Sequence, residues 1–119
     1  MDDVRAQICA FALSLPEAAE DFPWGERVAK VNRKVFVFLG HDERTGPPQM
    51  TVKLVESHGH ALAIDGAEPT RYGLGRSGWV NVPLEAEGVS PDLLRDLIEE
   101  SYRIVAPKRL VTALDRRDD

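Results

Sequence analysis

A chain of 119 residues with 43% hydrophobic and 29% charged residues has the size and balance of one folded domain, a mix foreign to disordered or fibrous chains. Its net charge of −5 argues against a protein that coats nucleic acid by bulk charge, and its apolar runs, such as Val35 to Leu39, fall far short of the ~20 residues that cross a bilayer. The single Cys9 excludes an intrachain disulfide, and the acidic start Met1-Asp2-Asp3 is unlike a secretory leader, so a cytoplasmic location and no membrane partner are expected.

Val4, Ile8, Phe11 and Leu15 recur at spacings of four, three and four, which places them on one stripe of a first helix that Pro16 ends. Asp2 or Asp3 can cap its start. Glu17 to Asp21 reads as an acidic connection, and Phe22-Pro23-Trp24-Gly25 as an aromatic turn with Trp24 in the core or at its rim. Two β-rich runs follow, one ending at Val31 and one from Val35 to Leu39, and the intervening Asn32-Arg33-Lys34 predicts a hairpin. With a loop of all three residues, Val31 opposes Val35 and Ala29 opposes Val37, an aliphatic side shared with Leu39 and suited to the helices. The reverse side then carries Val28, Lys30, Phe36 and Phe38, a face covered by the chain itself or open to a partner.

After a polar loop from His41 to Gln49, Met50 to Val55 alternates as a strand with Met50, Val52 and Leu54 on one face and Thr51, Lys53 and Val55 on the other. Glu56 to Ile64 suits a short helix, residues 67–78 are Gly-rich and basic, and Trp79 to Leu84 alternates as a strand that Pro83 confines to an edge or an end. Ser90-Pro91-Asp92 starts a helix running to Val105 whose inward stripe is Leu94, Leu97, Ile98, Ser101, Tyr102 and Val105. Pro107 breaks it before a short terminal helix, Lys108 to Leu114. This order predicts a single α+β domain over residues 1–119 with an antiparallel sheet.

Candidate chemistry is sparse. Gly73-Leu74-Gly75-Arg76-Ser77-Gly78 matches the dinucleotide fingerprint, but a strand follows it instead of a helix and no parallel crossover precedes it. Glycine amides beside Arg71 and Arg76, with Lys53 or Lys30 and Trp79 close by, define a softer candidate, a corner for a small phosphate or carboxylate. His58-Gly59-His60, with His41 and Asp42, superficially offers metal ligands; a spacing of two sends helical side chains to different sides, so no metal is expected. Without an acid and base pair, a Gly-x-Ser-x-Gly elbow or a triad, no catalytic residue and no cofactor are expected, and Cys9 reads as a structural thiol.

Several pieces in order resemble the MmcQ/YjbR family: the leucine-proline end of the first helix with its acidic run and Phe22-Pro23-Trp24-Gly25, the Lys30 to Phe38 hairpin, Thr51-Val52-Lys53-Leu54, Tyr72-Gly73 with Gly78-Trp79-Val80, and Glu100-Ser101-Tyr102-Arg103. The resemblance covers roughly Leu13 to Leu110. It implies a two-layer α-β(3)-α-β(2)-α fold similar to CyaY and secretion chaperones, and it brings no catalytic residues. Family members are commonly described as DNA-binding proteins with a double-wing motif, which implies a non-enzymatic module that contacts double-stranded DNA through Arg33, Lys34, Arg71 and Arg76. Two alternatives stand beside it: a protein partner or homodimer using the sheet face with Phe36 and Phe38, and a small anion held at the corner of Lys53, Arg71, Arg76 and Trp79.

Overall fold

The computed structural model describes residues 4–41, 48–70 and 74–117. Its elements are α1 (Val4–Leu13), β1 (Ala19–Asp21), β2 (Glu26–Val31), β3 (Lys34–His41), β4 (Gln49–Lys53), α2 (His58–Leu62), β5 (Glu68–Pro69), β6 (Trp79–Pro83), α3 (Pro91–Val105) and α4 (Lys108–Arg117), with short 3-10 turns at Pro23–Gly25 and Leu74–Ser77. The strands form one antiparallel sheet in the order β1-β2-β3-β4-β6-β5. All four helices contribute to a single buried cluster against one face of it, from Ile8 and Ala12 through Ala61 and Leu94 to Leu110 and Leu114, which makes a two-layer α+β fold.

The α-β(3)-α-β(2)-α order is present with two additions, the terminal helix α4 that the sequence predicts and the strand β1. Ala19–Asp21, read from sequence as an acidic connection, pairs with β2 as an edge strand. All three of its residues are exposed, so polar composition there marks an unprotected edge and not a loop. The helices follow their local signals. The Ser90 hydroxyl accepts from the Leu93 amide at 3.1 Å and caps α3, and Leu94, Leu97, Ile98, Ser101 and Tyr102 are buried on the inward stripe.

The hairpin departs from expectation in an instructive way. Its turn has two residues, Asn32 and Arg33, both with positive φ (53° and 67°), as the tight turn matched to strand twist requires. Val31 therefore opposes Lys34, not Val35. Ala29 nonetheless opposes Val37, because β3 carries one extra residue, Phe36, at a register shift between the Ala29 and Lys30 pairs. Such a bulge breaks the alternation of side chains, and Phe36 and Val37 are both fully buried. Phe36 thus belongs to the core, edge-to-face on Tyr102 with centroids 5.3 Å apart, and the sheet face expected to display it does not.

Where β3 and β4 meet, the ladder comprises Val37 with Val52 and Phe38 with Thr51; continued by one residue, it would join Phe36 to Lys53. The Ser101 hydroxyl of α3 takes that place. It accepts from the Lys53 amide at 2.9 Å and donates to the Phe36 carbonyl, at a site with no solvent exposure. Ser101→Ala strands a buried donor and a buried acceptor, each costing about 1–3 kcal/mol. We expect it to lower unfolding free energy by about 3 kcal/mol in urea titrations, whereas a loss below about 0.5 kcal/mol would show that the two strands close on each other unaided.

Candidate functional site

Connectivity gathers the β2–β3 turn, the exit of β4 and the entry to β6 at one end of the sheet, since β3 leaves that end, β4 returns to it and β6 leaves it again. Arg33 and Lys34 are exposed on the turn, Arg76 is exposed in the 3-10 segment leading into β6, and Lys53 is half-buried directly opposite Trp79. Arg71 lies outside the described residues.

None of Arg33, Lys34, Lys53 and Arg76 forms an ion pair with a described residue, while the other described cations, apart from Lys108 and Arg116 on α4, are committed elsewhere. Lys30 pairs with Asp21 at 2.7 Å, Arg27 with Glu20, Arg95 with Asp92, Arg103 with Asp115, and Arg109 with Glu17 at 2.8 Å. The Arg5 guanidinium donates to the carbonyls of Leu39 and Gly40, and Arg117 to that of Ser14. Exposed pairs of this kind add little to stability, yet each cancels a charge locally. The net charge of −5 therefore conceals a sheet end whose cations are uncompensated, with Glu56 exposed beside them.

The sheet face away from the helices continues from that end. β4 and β6 alternate half-exposed and buried: Met50, Val52, Val80 and Val82 point to the core, while Thr51, Lys53, Trp79 and Asn81 lie on the opposite face. Phe38 opposes Thr51 and shares this face. Its ring meets that of Trp79 across the intervening β4, with centroids 5.4 Å apart and planes at 72°. The hydroxyls of Thr51 and Thr70 both reach the Asn81 side-chain oxygen, at 2.8 and 3.0 Å. Sequence alternation put Trp79 with Asn81 and Thr51 with Lys53, but only strand order unites the two pairs under Phe38.

The glycine loop serves packing. The Gly75 amide donates to the Thr70 carbonyl at 3.0 Å and the Gly78 amide to the Gly75 carbonyl at 3.1 Å, so neither is left to cradle a phosphate. Gly78 has φ +96°, and a Cβ there would stand 2.6 Å from the Leu54 carbonyl oxygen. The proposed anion corner also divides: a shallow cleft of about 390 Å³ is lined by Arg76 with His58 and Ser77, without Lys53 or Trp79. His58 and His60 fall in α2, and no cluster of three or more metal-ligating side chains occurs among the described residues.

Glu100 of α3 holds one wall of that cleft. Its carboxylate accepts from the amides of Val55 at 2.9 Å and Ser57 at 3.2 Å, so the turn after β4 hangs from the helix layer. Burial pushes the Glu100 carboxyl up, but the Ser57 hydroxyl and the amides of Val55, Ser57 and Glu56 outweigh it and hold it below its ordinary value of 4.5.

This fold and site define a small antiparallel α+β module with exposed cations gathered at one end of its sheet. The family model described as YjbR matches residues 13–104, most of the chain, and the chain belongs to that family. A search of curated proteins finds no match. Among solved structures, the chain is similar to a crystal structure of a protein from Pseudomonas syringae, with 20% identity and a TM-score of 0.66, covering 88% of this chain and 99% of that one. That likeness speaks for the fold alone. No helix among the described residues is long and apolar enough to cross a membrane.

A carboxyl with a depressed folded value stabilises the protein above its unfolded value and loses that contribution as pH falls through the folded one. Glu100→Gln should therefore lower stability at pH 7 and flatten the loss of stability that the wild type shows below about pH 5, measured as the urea midpoint against pH. Parallel pH profiles of the two proteins would contradict the role given to Glu100.

Proposed function

We propose that this chain is a non-enzymatic DNA-binding module that grips phosphates with the sheet end bearing Arg33, Lys34, Lys53 and Arg76. One observation carries the reading: in an acidic protein whose other arginines are largely engaged by acids or carbonyls, these four cations share an end and have no described ionic partner. Phosphate contacts need only such a local concentration of charge, because each neutralised phosphate releases its own counterions irrespective of the protein's total. Arg33 adds a fixed geometry, since its positive φ sets it on a tight turn held by two strands. The family's usual description as DNA-binding points the same way. Binding without turnover is part of this reading.

A labelled double-stranded oligonucleotide should bind at 50 mM salt and lose about a hundredfold in affinity by 200 mM, as about four phosphate contacts require. Arg33→Glu/Lys34→Glu should weaken binding at least about tenfold and reduce the salt slope by about 2. No binding at low salt, or binding that the double variant leaves unchanged, would refute the proposal.

A further inference from the structure

We infer that the open sheet face takes the unpaired bases of a single-stranded nucleic acid, stacked against Phe38 and Trp79, while the cations at the adjoining end hold its phosphates. The inference rests on the DNA-binding reading above and specifies which form is bound.

Two large aromatic rings stand half-exposed on the face opposite the helices, in contact with each other and outside the buried core cluster. Phe38 and Trp79 come from strands that flank β4, with backbones about two strand spacings, roughly 10 Å, apart, and their rings close over β4 to 5.4 Å. Their neighbours are polar and suited to a charged, hydrogen-bonding ligand. Lys53 is the cross-strand partner of Trp79 and places an uncompensated ammonium group beside the rings. Asn81 has its side-chain oxygen engaged by two threonine hydroxyls, which leaves its amide NH2 without a described partner and able to donate to a base edge. On the hairpin side Val35 is half-exposed, Val28 is buried, and Asp21 opposite Val28 is neutralised by Lys30; on the far side Glu68, opposite Asn81, places one exposed acid at the edge of the face.

Base faces are sequestered by stacking within a duplex, so half-exposed aromatic rings flanked by lysine can engage them only in a single strand. The rest of the backbone then leads to the sheet end where Arg33, Lys34 and Arg76 stand exposed, because Lys53 belongs to both the face and the end. An apolar protein partner would bury the uncompensated Lys53 and the Asn81 amide without offering either a partner, whereas an anionic strand satisfies both.

The test compares fluorescently labelled oligodeoxythymidylate of about twelve nucleotides with a labelled duplex of the same length, by anisotropy at 50 mM salt. The single strand should bind at least about tenfold more tightly, and Trp79→Leu should weaken it about tenfold while moving duplex affinity less than about twofold. Thermal melts verify that each variant folds; if Trp79→Leu does not, Phe38→Leu and Lys53→Glu make the same comparison. Equal affinity for the two forms, or a folded Trp79→Leu that binds the single strand like the wild type, overturns this inference and leaves the loop-end reading in place. Loss of both forms with Arg33→Glu/Lys34→Glu supports the two together. Binding of neither form at low salt overturns both, as does self-association through Trp79 without any nucleic-acid binding.

Discussion

A single buried hydroxyl joins the two layers of this protein at the place where its sheet opens. Ser101 stands between the Lys53 amide and the Phe36 carbonyl, groups whose register points them at each other across β3 and β4. Its neighbours on the same helical turn complete the attachment. Glu100 takes up the amides of Val55 and Ser57, and Tyr102 packs on Phe36 and donates to the Pro16 carbonyl at 2.7 Å. Three consecutive residues of α3 thus position the hairpin, the β4 exit and the end of α1. Burial, with Glu17 next, raises the Tyr102 phenol, which keeps it neutral and donating at ordinary pH.

From that attachment the two faces of the sheet acquire different fates. The bulge at Phe36 turns an aromatic residue inward, so the helix layer closes over a continuous aliphatic and aromatic core. The opposite face keeps strict alternation on β4 and β6 and holds Phe38 and Trp79 with Thr51, Lys53 and Asn81. Charge is sorted along the same lines. Acids on α3, on α4 and in the α1–β1 connection take Arg95, Arg103 and Arg109, while the loop end of the sheet retains its cations. A face with rings and an end with uncompensated charge are separate features, and Lys53 links them.

Much of this was legible in the residues, and what was not has physical causes. The cap at Ser90 and the stripe from Leu94 to Tyr102 are local patterns that packing merely confirms. The pairing of Ala29 with Val37 was also readable, although for the wrong reason: a two-residue turn and a one-residue bulge give the same phase there as a three-residue turn would. Phe36 and Val35 betray the difference, and no local signal distinguishes the two solutions. β1 leaves no strand pattern in the sequence because an exposed edge strand needs no apolar face. The glycines at positions 75 and 78 resembled an anion loop but answer to close backbone approach, which composition cannot separate from ligand binding. Arg33, Lys34 and Arg76 could be placed together from strand direction alone. The meeting of Phe38 with Trp79 could not, because it depends on β6 inserting beside β4.

The central claim is that uncompensated charge and an open aromatic face form one continuous contact surface. Its most direct measurement is a nitrogen-15 chemical-shift map recorded while a short single-stranded oligonucleotide is added. The account predicts that the perturbed signals trace Arg33, Lys34, Lys53, Arg76, the Trp79 indole and the Asn81 side-chain amide, with α3 and α4 quiet. Perturbations centred on the helix layer, or a spectrum unchanged at saturating oligonucleotide and low salt, would contradict it.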